Sequence, residues 1–233
     1  MSKVWDAVLT AFFPHHCFLC DEVLPKEQLL CAECREHAPY ILPPICDHCG
    51  RGVDVCICGG HSHSYARCVS PFYHDGLVQS SILRLKTRYD TDVAEGFATE
   101  MAELVRREYG GIPFDLITSV PLHRKDLRQR GFDQAAGLAQ ALARIMQRPY
   151  MPTLTKLTHT EPQKELTAIR RKGNLLGVFD VTADVAGRTI LLVDDVITTG
   201  STLDECAKML KIYGAEEVYA ITAAAAVLQK GEK

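Results

Sequence analysis

No apolar run in this 233-residue sequence reaches the length of a membrane-spanning helix. A chain threaded through a bilayer by helices is therefore excluded. Charge of one sign is also lacking: 26 Lys and Arg stand against 29 Asp and Glu, a formal net charge of −3. So balanced a chain does not advertise nucleic-acid binding through its overall field. An export signal is not expected either. Residues 1–13 are apolar on one face but carry Asp6 and lack a signal-type cleavage region. They read as a short amphipathic helix, and the expected compartment is the cytoplasm. Finally, the second part of the chain is almost without cysteine. Nine of the ten cysteines lie from Cys17 to Cys68, and only Cys206 falls later. That shift in composition predicts two units, an N-terminal helix with a Cys-rich module over residues 1–65 and an α/β domain over residues 66–233.

The cysteines present come in pairs. Cys17-x-x-Cys20 is followed by Cys31-x-x-Cys34, then by Cys46-x-x-Cys49 and Cys56-x-Cys58. Each pair offers two thiolates at a spacing that one tetrahedral ion bridges, and two pairs complete an S4 site, which favours zinc. A disulfide framework would use the same density of cysteine. Without an export signal, pairs of this spacing are better read as metal ligands. An S4 shell leaves no open position, so the zinc is expected to be structural, and metal supplies stability that about 45 residues of core do not. One or two ions, sequential or cross-braced, all fit the spacing. His48, His61 and His63 are substitute ligands by chemistry, though a lone His is more often a surface residue. Cys68 opens an apolar segment and reads as a buried thiol.

Beyond residue 66 the pattern alternates between strand and helix. Strands are predicted over residues 68–72, 114–121, 153–157, 188–193 and 218–225. Helices are predicted over 75–86, with an apolar stripe of Leu77, Ile82, Leu83 and Leu85, and over 93–107, 132–147 and 203–213. Residues 165–174 read as helical or mobile. This alternation implies a mostly parallel sheet with ligand loops at the carboxyl ends of its strands.

The run from Thr189 to Thr202, TILLVDDVITTGST, is the most specific chemistry in the chain. An apolar strand meets Asp194 and Asp195, then a loop of Thr198, Thr199, Gly200, Ser201 and Thr202 that opens a helix. Free N–H groups at a helix start favour phosphate, and the hydroxyls add donors. Ionised carboxylates accept from vicinal hydroxyls. The ligand described is a sugar with a diol at one end and a phosphate at the other. A plain strand followed by a capped helix accounts for part of the run, but not for two acids followed by four hydroxyl residues. The loop differs from a P-loop, which needs G-x-x-x-x-G-K-[ST] and no acidic pair. Residues 120–134 hold Arg124, Lys125, Arg128 and Arg130 against Asp126 and Asp133, a balance that suits a polyanion such as pyrophosphate. A solvated basic turn is the alternative. Residues 163–174 form a second basic stretch, either a lid over phosphates or an exposed helix.

The acidic pair and its hydroxyl loop resemble the 5-phosphoribosyl-1-pyrophosphate (PRPP) loop of type I phosphoribosyltransferases. With the cysteine pairs, the chain resembles the ComF family of competence-related, GntX-like proteins over nearly its whole length. Val120-Pro121-Leu122-His123 through Arg130-Gly131-Phe132-Asp133-Gln134 matches one family motif. Gln163, Leu166, Arg171, Asn174 and Phe179 match another. Leu85-Lys86-Thr87-Arg88-Tyr89-Asp90 matches a third loosely. Asp133 stands where the family has Asn and adds a negative charge to the basic loop.

The resemblance implies an α/β fold, a type I phosphoribosyltransferase-like mostly parallel sheet with helices on both faces, behind a small N-terminal double zinc ribbon. It implies PRPP binding by Asp194, Asp195, Thr198, Thr199, Gly200, Ser201, Thr202, Leu122, His123, Arg124 and Arg171. Catalysis would fall to Asp194, Asp195, Arg128 and Arg130, with Mg2+ accompanying PRPP. Structural zinc would sit on Cys17, Cys20, Cys31, Cys34, Cys46, Cys49, Cys56 and Cys58. The implied activity is transfer of phosphoribose from PRPP to an unidentified acceptor, in the context of DNA uptake or use. A non-catalytic module that senses PRPP, or meets single-stranded DNA or a competence protein through the ribbon, is the alternative.

Overall fold

The computed structural model describes residues 15–25, 28–56, 58–59, 62–88, 90–157 and 178–227. The predicted segments at residues 1–13 and 163–174, Arg171 among them, lie outside the described residues. The ribbon region holds two short antiparallel strands, β1 (His15–His16) and β2 (Val23–Leu24), and a short helix α1 (Ala32–His37).

The α/β domain is built on a five-stranded sheet. Its members are β3 (Cys68–Val69), β4 (Phe72–Tyr73), β5 (Leu116–Ser119), β8 (Thr189–Ile197) and β9 (Glu217–Ala225). The order is β3, β9, β8, β5, with β4 continuing along β9 beyond β3, and the described strands of this sheet pair parallel with one another. The strand predicted over residues 68–72 is thus two short ones, separated by Ser70 and by Pro71, which has no N–H to give a ladder. A separate antiparallel pair, β6 (Leu154–Lys156) with β7 (Phe179–Val181), flanks the sheet. β6 matches the predicted strand, whereas β7 had no expectation behind it.

Consecutive residues Ile190 to Val193 on β8, and Ala223 to Ala225 on β9, are fully buried. Both faces of these strands are therefore covered, as parallel strands require. Helices α3 (Thr91–Glu108) and α5 (Gln134–Met146) pack on each other and on the sheet, while α6 (Ser201–Ile212) packs on β8, β9 and β7. Both helices bury small residues, among them Ala94, Ala98 and Ala102 on α3 and Ala135, Ala139 and Ala143 on α5, which suit close helix packing. Asp90 caps α3 through the Val93 N–H.

Two helical expectations change. In α2 (Gly76–Arg88) the buried stripe is Val78, Ile82 and Leu85, at the i, i+4, i+7 spacing. Leu77 and Leu83 are 48% and 60% exposed and do not belong to it. The basic stretch expected as a loop contains a two-turn helix, α4 (Arg124–Arg130). His123 Nδ1 accepts the Lys125 N–H at its start, and Gly131 ends it in the left-handed region.

The ribbon is fixed to this frame by aromatic packing. The Phe18 ring lies 5.0 Å from Phe97 on α3, and Tyr40 lies 4.7 Å from Phe72 on β4. The Phe18 carbonyl accepts from the Arg84 guanidinium at 2.6 Å and from the Ser81 hydroxyl, both on α2. No described helix is long and apolar enough to cross a membrane.

Candidate phosphosugar site and metal centres

The eight paired cysteines assemble into two groups, Cys17 with Cys20, Cys31 and Cys34, and Cys46 with Cys49, Cys56 and Cys58. Within each group all four sulfurs lie within 4.8 Å of one another. Sulfur separations are 3.7 Å for Cys20 to Cys31, 3.7 Å for Cys46 to Cys58, 3.5 Å for Cys49 to Cys56 and 3.2 Å for Cys56 to Cys58. Four sulfurs at about 2.3 Å from a tetrahedral zinc stand roughly 3.8 Å apart, so the spacing fits that ion. A disulfide needs about 2.05 Å, and all ten cysteines are free thiols. The grouping is sequential, and the cross-braced alternative is not the one adopted. Backbone N–H groups of Cys31 and Cys34 point at Cys17 and Cys31 sulfurs, as thiolates require. Of the substitute ligands, His48 and His63 stay outside both groups, and His63 instead stacks on Tyr65 at 4.7 Å. His61 lies outside the described residues.

Because β5 and β8 are parallel neighbours, their following loops leave the same edge of the sheet side by side. The loop after β8 runs through Thr198, Thr199 and Gly200 into α6. Gly200 is buried at φ +84°, a conformation that a side chain rarely takes, and no side chain caps the helix behind it. Of the first-turn amides of this twelve-residue helix, Ser201 N–H donates to the Thr199 hydroxyl at 3.4 Å, and the N-cap residue Gly200 offers no side chain to the others. Thr198, Thr199, Ser201 and Thr202 are exposed around them, with Thr199 and Ser201 hydroxyls 2.8 Å apart. Asp194 and the whole loop line one concavity. Larger cavities, about 560 Å³ beside the first thiolate group and about 510 Å³ near the ends of α3 and α5, lie elsewhere and gather no comparable acid and hydroxyl set.

Asp194 and Asp195 lie inside β8, not after it, because the strand keeps pairing with β9 as far as Ile197 opposite Ala225. The ladder registers Asp194 and Val196 but passes over Asp195. Asp195 N–H donates to Asp194 Oδ1 at 2.9 Å, and Val196 N–H to Asp195 Oδ1 at 2.8 Å. Lys86 reaches from the last turn of α2 to Asp195 Oδ2 at 2.8 Å. Burial, and next the Asp195 charge, push the Asp194 carboxyl well above the usual carboxylate range, with Lys86 opposing them in part. His74, after β4, joins this group. Burial and then Lys86 lower its affinity for a proton, while Asp195 raises it. Lys86 was visible in the sequence only as part of a loose motif, and His74 carried no signal.

On the β5 side, Leu122 and His123 lead into α4, where Arg124, Lys125, Arg128 and Arg130 are all exposed. Asp133 joins the two ends of this loop. Its Oδ2 accepts the Leu122 N–H and its Oδ1 the Ala136 N–H, each at 3.0 Å. The charge expected to burden the loop is thus spent on two backbone donors, a double task for which Asn has one oxygen. The structure brings together Asp194, Asp195 and the 198–202 loop, with residues 122–130 on the neighbouring strand end.

Comparison with known proteins agrees with these two halves. The Phosphoribosyl transferase domain family matches residues 131–233, and the Double zinc ribbon domain family matches residues 8–69. The chain is 31% identical over 206 residues to the DNA utilization protein YhgH of Salmonella typhi, covering 87% of this chain and 86% of that one. It is 30% identical over 221 residues to Competence protein F of Haemophilus influenzae, covering 89% and 95%. Competence protein ComFC of Bacillus subtilis is 26% identical over 217 residues, covering 83% and 88%. Among solved structures, an adenine phosphoribosyltransferase overlays with a TM-score of 0.39 at 16% identity, covering 64% of this chain and 85% of that one.

Proposed function

The chain belongs to the family of competence protein F and the DNA utilization protein YhgH, and from that premise we propose that its α/β domain is a Mg2+-dependent PRPP site that transfers phosphoribose. The observation that carries this reading is the joint placement of an acidic pair and an uncapped hydroxyl loop on one strand end. The loop amides and the hydroxyls of Thr198, Thr199, Ser201 and Thr202 hold the 5′-phosphate. Asp194 and Asp195 accept from the ribose hydroxyls. Leu122, His123 and Arg124 serve the pyrophosphate end, a role the resemblance also gives to Arg171, which lies outside the described residues. Arg128 and Arg130 stabilise charge on the departing pyrophosphate as the bond to the sugar C1 breaks and the acceptor's lone pair forms its replacement. Mg2+, which takes carboxylate, hydroxyl and phosphate oxygens, supplies further neutralisation when bound. The names of the relatives connect those proteins with competence and DNA utilization, and a role for this chain in DNA uptake or use, in the cytoplasm, is part of the proposal.

Isothermal calorimetry with PRPP and Mg2+ tests the site. Wild-type protein is expected to bind, and the Asp194→Asn/Asp195→Asn protein to lose binding. Equal affinity in the two proteins refutes the assignment. Release of pyrophosphate in the presence of candidate bases then identifies the acceptor. The exposed cations on α4 favour a second reading, a non-catalytic module whose basic face follows the phosphates of single-stranded DNA.

A further inference from the structure

Arg51 belongs to the ribbon by sequence and to the phosphosugar loop by its contacts. It stands two residues after Cys49, within the second thiolate group, and is only 3% exposed. Its Nε donates to the Ala226 carbonyl at 2.8 Å. One terminal nitrogen donates to the Thr198 carbonyl at 2.6 Å and reaches the Ile197 carbonyl at 3.4 Å. Ile197 is the last residue of β8, Ala226 follows β9, and Thr198 is the first residue of the hydroxyl loop. One buried cation therefore closes two central strands at the point where the loop leaves the sheet.

The surrounding contacts repeat the connection. Tyr65 donates its hydroxyl to the carbonyl of His48, which lies between Cys46 and Cys49, at 2.7 Å. The same hydroxyl would stand 3.0 Å from a Cβ on Gly200. Ser64 N–H donates to Asp204 in the first turn of α6 at 2.5 Å. The first thiolate group is anchored elsewhere, through Phe18 on α2 and α3.

We propose that Arg51 is a positioning residue for the 198–202 loop, and that zinc on Cys46, Cys49, Cys56 and Cys58 holds the loop in its anion-accepting form through it. A peptide unit is planar and trans, so its carbonyl and the following N–H point in opposite directions. Fixing the Thr198 carbonyl on the guanidinium therefore aims the Thr199 N–H away from the ribbon. A guanidinium holds this geometry because its donors are rigidly forked, which a lysine ammonium is not. Zinc fixes the backbone that carries Arg51. Without it, the anchor of the fork is free to move and the loop carbonyls lose a fixed donor. What the loop binds rests on the PRPP reading, but its dependence on Arg51 and the second metal does not.

The test is amide hydrogen exchange on the zinc-loaded full chain, with calorimetry for PRPP and Mg2+ alongside. Arg51→Lys and Cys56→Ser/Cys58→Ser are compared with Arg84→Lys, which makes the matching change at the anchor of the first thiolate group. Exchange across residues 197–204 is expected to quicken at least tenfold in the first two proteins and not in the third, while residues 189–193 of β8 stay protected in all. PRPP affinity should fall at least tenfold in the same two. Loop exchange unchanged in Arg51→Lys overturns the proposal, as does an equal loosening in Arg84→Lys. Should the cysteine variant fail to fold, Arg51→Lys decides alone. Wild-type protein that binds no PRPP refutes the phosphosugar reading, and the exchange data still decide this one.

Discussion

Replacing Asp194 by Asn should stabilise the ligand-free protein while removing its ligand. The residue is half-buried, and after desolvation the charge that most raises its carboxyl is that of the adjacent Asp195. Among the described residues, Lys86 contacts the pair, and it sits on Asp195 Oδ2 rather than on Asp194. Two like charges about 4 Å apart at an effective dielectric near 20 repel by about 4 kcal/mol, and Lys86 offsets part of this. Asn keeps the Oδ1 that accepts the Asp195 N–H, so the substitution removes charge without removing that bond. A net gain on the order of 1–2 kcal/mol follows. In a chain of this length that is roughly 3–6 °C in Tm. The pH dependence has a definite sign. The native carboxyl holds its proton more tightly than the unfolded one, so the wild type has its full stability from this group below about pH 3.9. It loses that stability as pH rises through the native value. The Asn protein has nothing to lose, so its advantage should be near zero at acidic pH and largest above neutrality. Thermal unfolding followed from pH 4 to pH 8 measures it. An Asn variant less stable than wild type at pH 8, or an advantage that does not grow with pH, refutes the account of a strained acid pair.

Two other expectations rest on different contacts. A Cβ on Gly96 would overlap the Phe18 ring, so Gly96→Ala should cost about 2 kcal/mol and lower Tm by ~4–8 °C. An unchanged Tm would mean that the ribbon does not sit on α3 as described. Arg128→Ala/Arg130→Ala removes two exposed cations and should weaken PRPP by ~10–100-fold with Tm unchanged. If PRPP affinity is kept while salt-dependent binding of single-stranded DNA is lost, α4 serves the second reading instead.

What the sequence made visible was local. The cysteine pairs and the TILLVDDVITTGST run are each readable within a few residues, because knuckle spacing and a strand-to-loop turn are short-range chemistry. The grouping of the four pairs was not, since sequential and cross-braced sets share the same spacing and only the fold separates them. α4 escaped because an exposed helix of charged residues has no apolar period. The stripe on α2 was misjudged because apolar residues stand on more than one side of that helix, and burial selects Val78 with Ile82 and Leu85 over Leu77 and Leu83. The acids fall inside β8 because β9 continues beside it as far as Ala225, a fact about the partner strand. Arg51 was illegible for the same reason, its acceptors lying 146 to 175 residues along the chain.

The contact between ribbon and loop follows from satisfying two groups at once. The carbonyls of Thr198 and Ala226 lie just past the ends of β8 and β9, while that of Ile197, the last residue of β8, also accepts the Ala226 N–H at 2.9 Å. Buried carbonyls without partners are costly. A buried guanidinium is costlier still unless several oxygens meet it. Arg51 and the strand ends meet each other's need, the guanidinium finding carbonyl acceptors and the carbonyls a donor. The ribbon in turn has too little core to hold Arg51 in place without its metal and without Phe18 and Tyr40 seated on the aromatic residues of α3 and β4. Metal, aromatic seat, guanidinium and loop thus form one chain of dependence. Through it, a closed metal centre with no position for substrate would still bear on the loop proposed to hold a phosphate.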